Sequence, residues 1–223
     1  MGAGSFPIDL ILFGMIAAFL VLRLRSILGK RTGFEQQAPP PVQPAPNRAP
    51  QPPIIEGRAE PAPPPAAQTV PPLASPTGQA LARMREIDRS FDPARFLAGA
   101  EQAFRMIVAA FAAGDRVQLR GLLSDETYKA FEEAISAREK AGDTQISQIK
   151  SIEQLAIEDA NVRGTVGVVT ARIVSDQISY TQDKNGRPTA GTDAVTEITD
   201  LWTFERDLTQ RDPTWRLVAA RSA

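Results

Sequence analysis

The sequence predicts an α+β fold: N-terminal helices packed in a curved antiparallel sheet, cone-shaped, preceded by a transmembrane helix and a disordered linker. Three observations predict it. From residue 81 to about 143 apolar side chains recur at threes and fours, the period of helices. After Thr144 the pattern changes to strand-like runs. Most of the 19 prolines lie between Pro39 and Pro76. Helices first and strands afterwards argue for α+β rather than alternating βαβ units. The chain thus divides into an anchor with a basic flank (1–33), a proline-rich linker (34–80) and a folded domain (81–223) of about 140 residues, enough for one core.

The chain contains no Cys and no His. Disulfides, cysteine nucleophiles, Cys/His zinc sites and a lipidated N-terminal cysteine are therefore excluded. The commonest general base is missing as well. No cofactor and no enzymatic activity are expected. Net charge is −1, with no single-sign field, so no basic face for nucleic acid is suggested.

Residues Phe6 to Leu22 read FPIDLILFGMIAAFLVL. This is the short end of what crosses a bilayer, with Phe13, Ile16, Phe19 and Leu20 toward the lipid. Pro7 suits a first helical turn. Arg23, Arg25, Lys30 and Arg31 follow directly, and no Lys or Arg precedes them. A cleaved signal peptide would carry its bases first, so a retained single-pass anchor is expected. Positive charge on the C-terminal side predicts that the C-terminal domain faces the cytoplasm.

The linker, with runs such as APPPVQPAP and PAPPPAAQ, has too few apolar residues to build a core and suits polyproline II. At ~3.1 Å per residue, about 40 residues reach on the order of 120 Å. It reads as a spacer; proline-reading partners are the alternative.

In the folded part, Leu81, Met84 and Ile87 mark a short amphipathic helix. Asp92 caps the next, with Pro93 in its first turn and Gly114 at its end. Phe96, Leu97, Ala100, Phe104, Ile107, Val108 and Phe111 form its apolar face. A short helical piece covers Val117 to Leu123, and Ser124 caps another helix carrying Tyr128, Phe131 and Ile135. Expected strands are Ile149–Ala160, Thr165–Thr181, Ala194–Leu208 and Thr214–Ser222. Lys184-Asn185-Gly186 is a hairpin signal, with Pro188 and Gly191 lengthening the loop. Ile198, Trp202, Phe204 and Leu208 face one way along their strand, and Trp215, Leu217 and Ala219 alternate likewise.

The segments ISQIKSIEQLAIEDA, TARIVSDQISYTQDKNG and TEITDLWTFERDLTQRDPTWRLVA give the last ~130 residues a resemblance to the Tim-forty-four-like domain family. Asp200-x-Trp202-x-Phe204-x-Arg206 followed by Pro213-x-Trp215-x-Leu217 is the most specific part. The anchor and linker layout is similar to that of bacterial TimA-type relatives. The resemblance implies a nuclear-transport-factor-two-like cone. It also implies a membrane-anchored adaptor at the inner membrane, in protein transport or membrane biogenesis. Protein partners would be a translocase, the ribosome or client membrane proteins. The large charged N-terminal half that tethers a chaperone in the mitochondrial adaptor has no counterpart here.

The binding candidates are aromatic. Trp202, Phe204, Trp215 and Phe104 either line an apolar pocket for lipid chains or peptide, or fill the core; Tyr180 adds a polar handle. Asp200 lies on the face of Trp202 and Phe204, where a carboxyl has a raised pKa or bonds to Arg206 or to a nearby N–H donor. Two other readings remain: a small-ligand or enzymatic domain on the same cone, and a periplasmic secretion scaffold if the topology is reversed. The sequence sets no oligomeric state.

Overall fold

Ser75 turns the chain into the first helix, α1 (Pro76–Ile87), its hydroxyl accepting from the Gly78 N–H at 3.0 Å. The computed structural model describes residues 66–223. The expected anchor, with Phe13, Ile16, Phe19, Leu20, Arg23 and Arg25, and the linker through residue 65 lie outside the described residues. Regular structure is present ahead of the boundary expected at residue 81. A strand of three residues, β1 (Ala67–Thr69), already pairs in parallel with Gln154–Ala156. So short a strand among prolines leaves no periodic signal to read.

Helix α2 (Pro93–Ala113) starts at Asp92, whose carboxylate accepts from Arg95 N–H at 2.8 Å. It stops at Gly114, which adopts a left-handed φ of 72° that side chains with a Cβ disfavour. By length and composition α2 would pass for a membrane-crossing helix. Its apolar face is instead used within the domain: Phe96, Leu97, Ala100, Phe104, Ile107 and Ala110 are buried. Helix α3 (Arg116–Leu122) and helix α4 (Asp125–Ala141) follow, α4 capped by Ser124. The Ser124 N–H donates to Leu217 O at 2.9 Å, which ties the α3–α4 corner to the last strand.

The sheet contains β1, β2 (Thr144–Arg163), β3 (Val166–Gln182), β4 (Pro188–Asp207) and β5 (Arg216–Ser222), in the spatial order of the sequence. All pairs are antiparallel except β1 with β2, so the sheet is mixed. Register shifts at Ile149/Ser151, Ile152/Gln154 and Ile157/Asp159 bend β2 around the helices. Its concave face supplies Leu155, Val169, Ala171, Ile173, Phe204 and Leu217 to one core shared with the apolar faces of α1 and α2. Each Val, Leu, Ile or Phe among them, fully buried, contributes roughly 1.5–3 kcal/mol.

Two details differ from the sequence reading. Pro188 and Gly191 belong to β4 and not to the hairpin loop; Gly191 pairs with Tyr180, and the turn is closed by Asp183 and Arg187. The alternation Trp215, Leu217, Ala219 also breaks. A bulge leaves Val218 unpaired, so Ala220, not Ala219, packs against the core. One extra residue moves every later side chain to the other face.

Candidate functional site

The predicted aromatic residues largely meet, and they meet as a filled core. The Phe104 and Trp202 rings lie 4.8 Å apart at 72°. Phe96 stands edge-on to Phe204 at 5.9 Å and to Trp215 at 5.0 Å. Phe91 closes the series against Trp215 at 5.8 Å. Tilted and edge-to-face geometries suit the ring quadrupoles. Phe104 and Phe204 are each 1% exposed and Trp202 6%, while Trp215 is half-buried. Trp215 lies over the bare Cα of Gly167, where an added Cβ would come within 3.1 Å of the indole. Tyr180 is not part of this group. It is half-buried, paired with Ile146 and Gly191, and on the opposite face from Ser179 and Thr181.

Arg206, at the far end of the same strand face, pairs with Asp88 in the loop after α1. Its guanidinium carbon is 5.6 Å from the centre of the Trp215 ring. Arg206 Nε is buried without a hydrogen-bond partner among the described residues. Asp88 is held below the usual carboxylate range, first by the Ser90 hydroxyl, with smaller contributions from the Ser90 N–H and Arg206. Arg206 is therefore not available to Asp200.

Asp200 takes the other route, to neutral donors. Gln177 Nε2 donates to its Oδ2 at 3.3 Å and Ser222 Oγ to its Oδ1 at 3.3 Å. Burial pushes its carboxyl up to about 6, against the pull of those two bonds. Ser175 accepts the second Gln177 N–H at 2.9 Å. The concave face is thus apolar around Trp202 and polar beyond it. Ser147, Gln145, Ser179 and Thr181 extend the polar lining in a hydrogen-bonded ladder. Along β3 the inward-facing run of Val169, Ala171 and Ile173 gives way to polar side chains at Ser175.

One concavity lies outside the core. Val70, Pro71 and Leu73 face α1 across a groove of about 580 Å³, with Leu81, Ala82, Arg85, Glu86 and Arg89 on its other wall. Gly78 makes it possible: a Cβ there would stand 2.1 Å from Pro72 O, so only a bare helix position admits the crossing segment. Leu73 is 69% exposed. The sequence reading assigned Val70, Pro71, Leu73 and Gly78 to the linker and the wall from Leu81 onward to the folded domain; the proline at 76 preceded by Ser75 was the signal that a helix starts there. Among the described residues, no grouping of three or more carboxylates is arranged to hold a metal ion.

Comparisons with known proteins give one family. A family model described as Tim44-like domain matches residues 77–222. No curated protein sequence matches. Among solved structures, the intermembrane-space region of the chloroplast protein ARC6 is 13% identical at a TM-score of 0.41, covering 56% of this chain and 95% of its own. A Streptomyces avermitilis protein described as a dehydratase of the NTF2-like family is 12% identical, TM-score 0.35, covering 58% and 97%. A Shewanella frigidimarina protein described as a ketosteroid isomerase is 14% identical, TM-score 0.28, covering 55% and 92%.

Proposed function

The chain belongs to the Tim44-like domain family, and on that premise we propose that it is a membrane-tethered adaptor whose C-terminal domain binds a protein partner near the cytoplasmic face of the inner membrane. The observation that carries this reading is the family match, which spans the four described helices and the antiparallel strands. Two features support it. The apolar run before Arg23, with its basic flank, reads as an anchor, and the proline-rich stretch as a spacer. A tether of that kind raises the effective concentration of the domain for anything at the membrane surface. The groove beside α1 offers exposed Val70 and Leu73 next to Arg85 and Arg89, the mixture of apolar contact and charge that protein interfaces use.

On this reading the domain binds a partner rather than catalysing a reaction. The aromatic residues that would line a reaction chamber pack on one another. Among the described residues Asp200, the carboxyl with a raised pKa, has only Gln177 and Ser222 as side-chain partners, neither of them an acid or base.

Site-specific photo-crosslinking in native membranes tests the proposal, with probes at Leu73 and Arg89. Crosslinks to translocase subunits, ribosomal proteins or nascent membrane proteins are expected. Crosslinks to lipid alone overturn it. Orientation is tested separately: the chain has no cysteine, so Ser136→Cys on the exposed face of α4 reports its side without background. Labelling from the periplasm would reverse the topology and favour a secretion scaffold.

A further inference from the structure

Ser175 and Gln177 are the buried polar residues of the described chain. Both point inward on β3, directly after the core residues Val169, Ala171 and Ile173. Polar groups buried there carry a cost unless their hydrogen bonds are used. Those of Gln177 are used on Ser175 and Asp200, and incompletely. Gln177 spends one N–H on Ser175 and the other on the carboxylate. That fixes the amide orientation, because its carbonyl would be repelled by the same carboxylate.

Acceptors then outnumber donors. Each Asp200 oxygen receives one long bond, 3.3 Å, where a carboxylate has about four lone-pair sites to fill. Gln177 Oε1 accepts no hydrogen bond among the described residues, and it is not sealed from solvent. No lysine or arginine among the described residues forms an ion pair with Asp200. A half-buried negative charge with no counter-charge among the described residues and a surplus of acceptors is complementary to a compact cation carrying several N–H donors.

We infer that this polar end of the concave face receives the lysine ammonium of a bound polypeptide. Thr196 and Ser222 are exposed, and Ile198 is half-exposed on the same strand face, so the approach is open on that side. The aliphatic stem of a lysine lies along Ile198 while its head meets Asp200 and Gln177 Oε1. Lysine fits better than arginine. Gln177 holds one carboxylate oxygen and Ser222 the other, which obstructs the parallel two-bond fork of a guanidinium but leaves room for a point charge. This inference rests on the adaptor reading and adds a chemical requirement on the partner: a lysine at the contact.

The test is a titration of the full chain in lipid nanodiscs with Nα-acetyl-lysine methylamide, followed by NMR of the Gln177 side-chain amide and the Ser175 and Asp200 backbone amides. Saturable shifts in the millimolar range are expected, with Nα-acetyl-norleucine methylamide, which lacks the charge, roughly tenfold weaker. Asp200→Asn should abolish the difference between the two. Ser222→Lys places an ammonium opposite Asp200 from within the chain and should block the added lysine compound, which keeps the inference falsifiable if the first variant folds poorly. Equal shifts from both compounds, no saturable shift, or a lysine preference that survives Asp200→Asn or Ser222→Lys overturns it. So does n-butylamine binding as tightly as the lysine compound, which would assign the site to free small amines. A failure here leaves the adaptor reading standing, because crosslinking at Leu73 and Arg89 decides that one independently.

Discussion

Arg206 on β4 and Asp88 in the loop after α1 are 118 positions apart and form an ion pair whose side chains are only 10% and 14% exposed. Arg85 adds a second tie across the same loop, donating from Nε to Phe91 O at 3.2 Å. Together they hold the α1–α2 corner against the sheet. Because the Arg206 charge is largely buried, removing its partner leaves it uncompensated. Asp88→Asn should cost about 3 kcal/mol in denaturant unfolding. Asp88→Asn with Arg206→Met should recover part of that loss, since no buried charge then remains. Additive costs in the double variant would mean that the two groups do not act as a pair.

The aromatic series predicts a second effect. Trp202→Ala removes a side chain packed on Phe104 and Phe204 and should destabilise by roughly 3–5 kcal/mol. A double-mutant cycle with Phe104→Leu should show coupling of about 0.5–1.5 kcal/mol. An unchanged melting temperature for Trp202→Ala would contradict the buried position.

Asp200 predicts a pH dependence of known sign. Its folded pKa of about 6 lies above its ordinary value of 3.8, so the folded state binds the proton more tightly. Stability should therefore fall as pH rises from about 4 to about 6, and stay at the lower level above that. Two pKa units correspond to roughly 3 kcal/mol. Partial exposure reduces this to on the order of 1–2 kcal/mol. Asp200→Asn should flatten that interval of the melting-temperature profile and be the more stable protein at pH 7. A parallel profile for the variant would place the titration elsewhere.

Gly78→Ala tests the groove. The new methyl meets the Pro72 carbonyl, which is backbone and has no rotamer to yield. The 70–73 segment should lift from α1 at a cost of about 1–3 kcal/mol. Amide exchange at Thr69 and Val70 should quicken first, with the β3–β4 pairing unaffected. Uniform loss of protection through the sheet would mean that β1 and the central strands open as one unit.

The helices and most of the sheet were legible in the chain itself. Asp92-Pro93, Ser124 and Gly114 mark helix ends through their own backbone and side-chain chemistry. The alternation around Trp202 and Phe204 marks a half-buried strand because side chains on a strand point to alternate faces. What the sequence could not reveal is what depends on register and distance. A bulge at Val218 reassigns Ala219 and Ala220, yet one inserted residue has no compositional signature. β1 is too short to show a period. Arg206 is equally available to Asp200 or Asp88 on paper; only the packing of the α1–α2 corner over the sheet brings Asp88 within reach, and that leaves Asp200 with neutral donors alone. Local preferences act over a few residues and survive in the sequence, whereas the partner of a buried charge is selected by the whole fold, since an unpaired charge in the interior costs more than any local preference can repay.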